Sequence, residues 1–182
     1  MGETRPDDLV AVVSPEDNPE GAMRRSELVE HPGLHFRTAH LFAFDRGGRL
    51  LLQQLAPVRD RNPLRWGSSV AAYVRPGETY RQAISRRAAE ELELNMQVDL
   101  VGKTEMPDLG GTKHIALFAA HIGGWQHLAV REPDHIERIA WFSLDEIWER
   151  LAVDLGAFTE TFVWLFARFF SDGESRRAAL SA

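Results

Sequence analysis

Apolar residues along this chain fall in short runs separated by turn-forming clusters, with the longer helical repeat confined to a few stretches. Asp8 to Val13 (DLVAVV) predicts a first strand, closed by a turn over SPEDNPEG, after which MRRSELVEHPG reads as an exposed approach to the main body. AHLFAFD and RLLLQQL flank Arg46 to Gly48 and predict a hairpin with a glycine-supported tight turn. The charged, proline-punctuated APVRDRNPLRWG is a loop, and Trp66 to Val74 (WGSSVAAYV) is a strand whose small residues let backbone or ligand come close. A helix follows from about Thr79 to Leu92, with Thr79 as N-cap and Gln82 completing a capping box. VDLVGKT and HIALFAAHI add strands, and a further strand ends near Phe142, where Ser143 and Glu146 form a second capping box. FTETFVWLFARFF is apolar on a helical repeat and predicts a last helix packed on the sheet. These elements make an α/β arrangement, a mixed sheet with helices on both sides, in one domain over residues 8–172; residues 1–7 read as disordered and 173–182 as a flexible tail.

With 182 residues and 44% hydrophobic content, one buried core is the natural outcome. A net charge of −6 and pI near 5.6 argue against a duplex-binding surface, which needs clustered Lys and Arg. Small polar ligands fit better. The chain has no cysteine, so disulfides, thiolate metal sites and a cysteine nucleophile are excluded. No basic-then-apolar leader opens the sequence and no uncharged apolar run reaches membrane-spanning length, which predicts a cytoplasmic protein without membrane contact.

The chemistry concentrates in the helix after the Pro-Gly-Glu turn. Positions 87, 90 and 91 share one face, Arg86 lies over Glu90, and Glu78 sits in the preceding turn. Neighbouring carboxylates of this kind suit a hard divalent cation, Mg²⁺ or Mn²⁺, that could bridge phosphates. The other reading is a salt-bridged helix in which Arg86 and Arg87 neutralise Glu90 and Glu91.

Val74 to Leu94 resembles the Nudix box, G-x5-E-x7-R-E-U-x-E-E-x-G-U with U a bulky aliphatic. Glu78 falls on its first glutamate, Arg86 on its arginine, Glu90 and Glu91 on its paired glutamates and Leu94 on its last aliphatic, with no gap in spacing. LHFRTAHLFAFDRGGRLLLQQ, PLRWGSSVAAYVRPGE and IAWFSLDEI follow the order of the isopentenyl-diphosphate-isomerase-like branch, so the resemblance covers roughly residues 8–170. It implies the Nudix α/β/α sandwich, a mixed β-sheet between helices. It also implies a Mg²⁺- or Mn²⁺-dependent hydrolase cutting a diphosphate linkage in a nucleoside diphosphate joined to another moiety. Glu78, Glu90, Glu91 and the carbonyl of Ala72 would hold the metal, with Glu90, Glu91 and Arg86 the catalytic set. A homodimer is also within the family's habit.

Three positions depart from the pattern. Ala72 replaces the opening glycine, Glu93 the closing glycine, and Arg87 a glutamate that in most family hydrolases is a principal metal ligand. Arg87 puts a fixed positive charge where the metal would sit, although isomerases of this branch carry a double arginine there and work. Ala71 and Tyr73 stand where the isomerase family has its catalytic cysteine and a metal-binding histidine. No glutamate occurs between Glu105 and Glu132, so double-bond isomerisation is not expected. The competing expectation to hydrolysis is a catalytically impaired domain binding a nucleotide, a phosphorylated metabolite or a protein, with Arg87 as a built-in cation.

Further substrate-binding candidates are Arg59 and Arg65 of RDRNPLRWG, together with Arg61, whose guanidiniums suit bidentate phosphate recognition. Tyr73 before the turn, His35 as a retained ligand position and His135 as a replacement base complete the set. His40, Trp66 and Trp125 read as structural residues.

Overall fold

The computed structural model of the protein describes residues 9–123, 128 and 130–171; Trp125 and the two predicted terminal segments, 1–7 and 173–182, lie outside them. Strands β1 (Leu9–Val13), β2 (Pro19–Arg24), β3 (His35–Phe44), β4 (Leu50–Leu55), β5 (Trp66–Gly67), β6 (Val70–Tyr73), β7 (Asp99–Asp108), β8 (Gly111–His121) and β9 (Ile136–Phe142) form one mixed sheet. Helices α1 (Tyr80–Leu92), α2 (Leu144–Val153) and α3 (Glu160–Phe170) cover it.

β3 organises everything else. It runs parallel to β8 from His35↔Thr112 to Phe44↔His121 and antiparallel to β1 and β6. Its two faces separate the core, as strand alternation requires. Ala39, Leu41 and Ala43 pack beneath α1 with Ile84, Ala88 and Leu92, while Phe42 and Phe44 meet α2 and α3. The four-residue spacing of Phe162, Phe166 and Phe170 on α3, continued by Phe158 just before the helix, stacks the rings at centroid separations of 5.5, 5.4 and 5.8 Å.

β3 and β4 are the predicted hairpin, turning at Gly48 with φ +74°, a conformation glycine adopts at little cost. They share only the pair Phe44↔Leu50 and then part, β4 continuing with β5 and β9. Ser69, fully buried in the fork, spans the two strands: its Oγ accepts from Ala43 N at 2.8 Å and donates to Leu51 O at 2.6 Å. The stretch Trp66 to Val74 is therefore two short strands and not one, because the two serines turn their hydroxyls to hydrogen bonds in the fork.

Two other expectations change. Residues 19–24, read as turn and approach, form an edge strand on β1, and a 3-10 helix (Arg25–Glu30) follows. β7 and β8 extend until only Leu109 and Gly110 separate them, so MPDLGGT is a hairpin. Tertiary pairing overrides weak local preference in both places.

α1 begins as predicted: Thr79 Oγ1 accepts from Gln82 N at 3.2 Å and Gln82 Oε1 accepts from Thr79 N at 2.8 Å. It ends on Glu93 at φ 55°, the left-handed position that the box gives to glycine. A side chain there costs about 1 kcal/mol, and the Glu93–Arg131 pair is half exposed, so it offsets little. Glu93→Gly should therefore raise unfolding stability by a few tenths to about 1 kcal/mol in a urea titration; an unchanged or lower midpoint would show that the strain is relieved elsewhere.

Candidate functional site

The fork between β3 and β4 opens into a cleft of about 580 Å³. Thr38 and His40 of β3 and Gln53 and Leu55 of β4 form its walls, and Ala71, Ala72 and Tyr73 reach it from β6. α1 supplies Arg86, Arg87 and Glu91, and the loop after β4 supplies Arg59 and Arg61. Arg25 and His135 complete the lining, with Lys113 buried beneath it. Arg25, Arg59, Arg61, Arg86, Arg87 and Lys113 thus face only two lining carboxylates, Glu91 and Asp108. In a chain of net charge −6 this is a local reversal of sign.

The carboxylates predicted to hold a metal are engaged by arginine. Arg86 grips Glu78 with Nε at 2.7 Å and Nη2 at 3.0 Å, and its Nη1 reaches Glu90 at 3.4 Å. Burial by itself would raise the Glu78 carboxyl, but Arg86 and the Arg75 N–H hold it below its ordinary value. Arg87 lies among three glutamates: Nη2 is 2.6 Å from Glu91 and 2.9 Å from Glu132, and Nη1 is 3.3 Å from Glu90. Glu91 is 4% exposed and also accepts from Gln53 Nε2 at 2.9 Å. Burial pushes its carboxyl up to about 7 against the pull of Arg87 and Gln53. Among the described residues no group of three His, Asp or Glu side chains is arranged to hold a metal ion. The donor set as folded, with a guanidinium at its centre, does not fit the expected Mg²⁺ or Mn²⁺.

Two buried polar atoms in the cleft lack a hydrogen-bond partner in the protein, Arg59 Nε and Thr38 Oγ1. Arg59 touches His135, its Nη1 lying 2.7 Å from Nδ1, and among the described residues no carboxylate stands within ion-pair distance of it. Burial, with Arg25 and Arg87 nearby, holds its guanidinium below the ordinary value against the opposing pull of Asp60 and Glu91, though it stays charged. Deeper in, Lys113 donates to Asp108 at 2.8 Å and Thr161 at 2.7 Å, and Arg61 reaches the other Asp108 oxygen at 2.7 Å. His40 bonds Ser68 at 2.9 Å, and burial drops its ring to about 3, so it is neutral. Burial raises the Tyr73 hydroxyl, and the Arg61 charge nearby pulls it back in part.

Of the predicted site residues, Arg59, Tyr73, His135, Ala72, Arg86 and Glu91 meet in the cleft. Glu78 and Glu90 sit behind the arginines. Arg65 and His35 are not in it. Arg65, the residue just before β5, lines a separate groove of about 880 Å³ along α3. His35 faces His114 on β8 at 3.0 Å. Trp66 is core, edge-on to Phe142 at 5.0 Å. Sequence reasoning missed Arg25, Lys113, Gln53, Asp108 and Glu132. Lys113 and Asp108 carried one usable signal, charges flanking a glycine turn between apolar strands.

The fold is thus an α/β sandwich whose box helix presents paired arginines and glutamates to a strand fork. The chain belongs to the NUDIX family, whose domain model matches residues 34–162. The isopentenyl-diphosphate Delta-isomerase of Nocardia farcinica is 28% identical over 76% of this chain and 81% of its own length. That of Burkholderia multivorans is 29% identical over 89% and 93%. In fold, the chain is similar to DR0079 from Deinococcus radiodurans, with TM-score 0.74, 19% identity and coverage of 90% of this chain and 99% of the other. The NUDIX domain of Shewanella oneidensis NrtR, crystallised with ADP ribose, gives TM-score 0.59 at 14% identity over 87% and 100%. Among the described residues no helix is long and apolar enough to cross a membrane.

Proposed function

We propose that the cleft binds a small molecule through its diphosphate group. The observation that carries this is Arg59, a half-buried cation with an orphaned Nε and no carboxylate partner among the described residues. A buried charge without a counter-ion is costly, and an anion in the cleft would complete it. Phosphate oxygens suit the guanidinium fork, and the same group could accept from Thr38 Oγ1. The cationic lining supports this, as does family membership. Isopentenyl diphosphate, which names the curated relatives, and ADP-ribose, held by the NrtR domain, are both diphosphates.

The test is calorimetric titration of inorganic pyrophosphate, isopentenyl diphosphate and ADP-ribose into the wild type and Arg59→Gln. Losing charge-assisted bonds worth about 1.5–3 kcal/mol weakens binding roughly 10- to 100-fold. Equal affinity in the variant, or no binding of any compound by the wild type, ends the reading.

A second reading is hydrolysis of the diphosphate linkage, favoured by Glu91, whose carboxyl is pushed to about 7 on the cleft wall. A group there can take a proton from water near neutral pH. Phosphate release from a panel of nucleoside-diphosphate compounds should rise with pH through about 7 and vanish in Glu91→Gln; no release from any compound removes hydrolysis and leaves binding. Isomerisation is not proposed. Ala71 lines the cleft where that branch has its cysteine, and its methyl has no proton to transfer.

A further inference from the structure

Beside the cleft, three carboxylates gather around one guanidinium. Arg87 is 12% exposed, with Glu91 at 5% and Glu132 at 9% around it, and its guanidinium touches both oxygens of Glu132 as well as Glu90 and Glu91. Three carboxylates converging on one point would repel one another without a cation between them. Arg87 supplies that cation covalently. Its charge cannot be lost at any ordinary pH, and neighbouring Glu91 and Glu132 hold it more firmly still against the cost of burial. A divalent ion would have to displace a guanidinium bonded on several edges. Meanwhile the positive charge needed by a diphosphate is present elsewhere in the cleft, on Arg59, Arg61 and Arg25.

We propose that Arg87 stands in for the divalent cation, so that this protein binds diphosphate without a metal. This rests on the ligand class proposed above, and the experiment separates the two. Pyrophosphate is titrated into the wild type in EDTA and again with Mg²⁺, and Mn²⁺ binding to the ligand-free protein is followed by electron paramagnetic resonance. The expected result is pyrophosphate binding in EDTA at least as tight as with Mg²⁺, and no loss of the free Mn²⁺ signal up to millimolar concentration. More than tenfold tighter binding with Mg²⁺, or stoichiometric uptake of Mn²⁺ by the wild type, overturns the proposal. Pyrophosphate binding in neither condition overturns the diphosphate half of the proposal together with the ligand class, and the Mn²⁺ signal then decides separately whether Arg87 takes the cation's place.

Arg87→Gln gives the converse. With the guanidinium gone, Glu90, Glu91 and Glu132 should take up one Mn²⁺ and deplete its free signal. A variant with a native circular dichroism spectrum that takes up none shows that something other than Arg87 keeps the metal out, and the proposal fails.

Discussion

Arg59→Met should bind pyrophosphate about 10- to 100-fold more weakly and yet be the more stable protein. The same fact produces both effects. In the ligand-free fold the guanidinium has an orphaned Nε, neighbouring cations in Arg25 and Arg87, and only an imidazole nitrogen as a close partner. Replacing an ill-compensated buried charge by an apolar chain of similar length is often stabilising by 1–4 kcal/mol. Because Arg59 is partly in contact with solvent, about 1 kcal/mol is expected. Urea unfolding of both proteins, with and without saturating pyrophosphate, measures it. The ligand should stabilise the wild type by about 1.4–2.7 kcal/mol more than the variant, the same 10- to 100-fold difference read through stability. A variant less stable than the wild type without ligand would mean that Arg59 is satisfied inside the protein and that the cleft does not wait for an anion.

Arg87→Ala should have the opposite sign and a larger size. Removing one member of a buried ionic cluster leaves the rest uncompensated, at a cost of about 3–5 kcal/mol, here Glu91 and Glu132 with side chains 5% and 9% exposed. The loss depends on pH in a definite direction. Glu91 titrates near 7 in the fold and lower when unfolded, so the folded chain holds the extra proton between those values. Wild-type stability therefore falls as pH rises toward 7. Without Arg87 the ionised form is still less favourable, so the deficit against the wild type should be greatest above pH 7 and shrink as the pH falls below it. Thermal melts at pH 5, 6, 7 and 8 on both proteins would show this; a deficit independent of pH would place the lost energy in packing.

How much of this was legible in the sequence depended on whether a feature is local. Both capping boxes and the hairpin at Gly48 were readable because every interacting atom lies within a few residues. The phenylalanine repeat of α3 was readable as well, since its period is set by the helix. β2 was not, because PEGAMR becomes a strand only by pairing with β1. For the site, the box showed that Arg86, Arg87, Glu90 and Glu91 share a helix face. It could not show that Glu132, from a distant loop, would close on Arg87. Nor could it show Lys113 under the cleft, since that placement follows from the parallel pairing of β3 and β8. Arg59 and Arg65 look equivalent in RDRNPLRWG, and only the onset of β5 sends them to different sides.

The aromatic column on α3 has a consequence for how variants of this protein behave in cells. Phe158, Phe162, Phe166 and Phe170 belong to a core shared with Phe42 and Phe44 of β3, Ile115 and Leu117 of β8 and the apolar face of α2, separate from the cluster under α1. One of the fold's two large apolar clusters thus lies apart from the cleft, and a mild cleft mutation is tolerated as long as total stability stays above the unfolding threshold. Carriers of a cleft variant such as Arg59→Gln should therefore accumulate the protein at normal levels. A screen that scores abundance would pass them as healthy, whereas changes in the phenylalanine column would be cleared by proteolysis before their ligand affinity mattered.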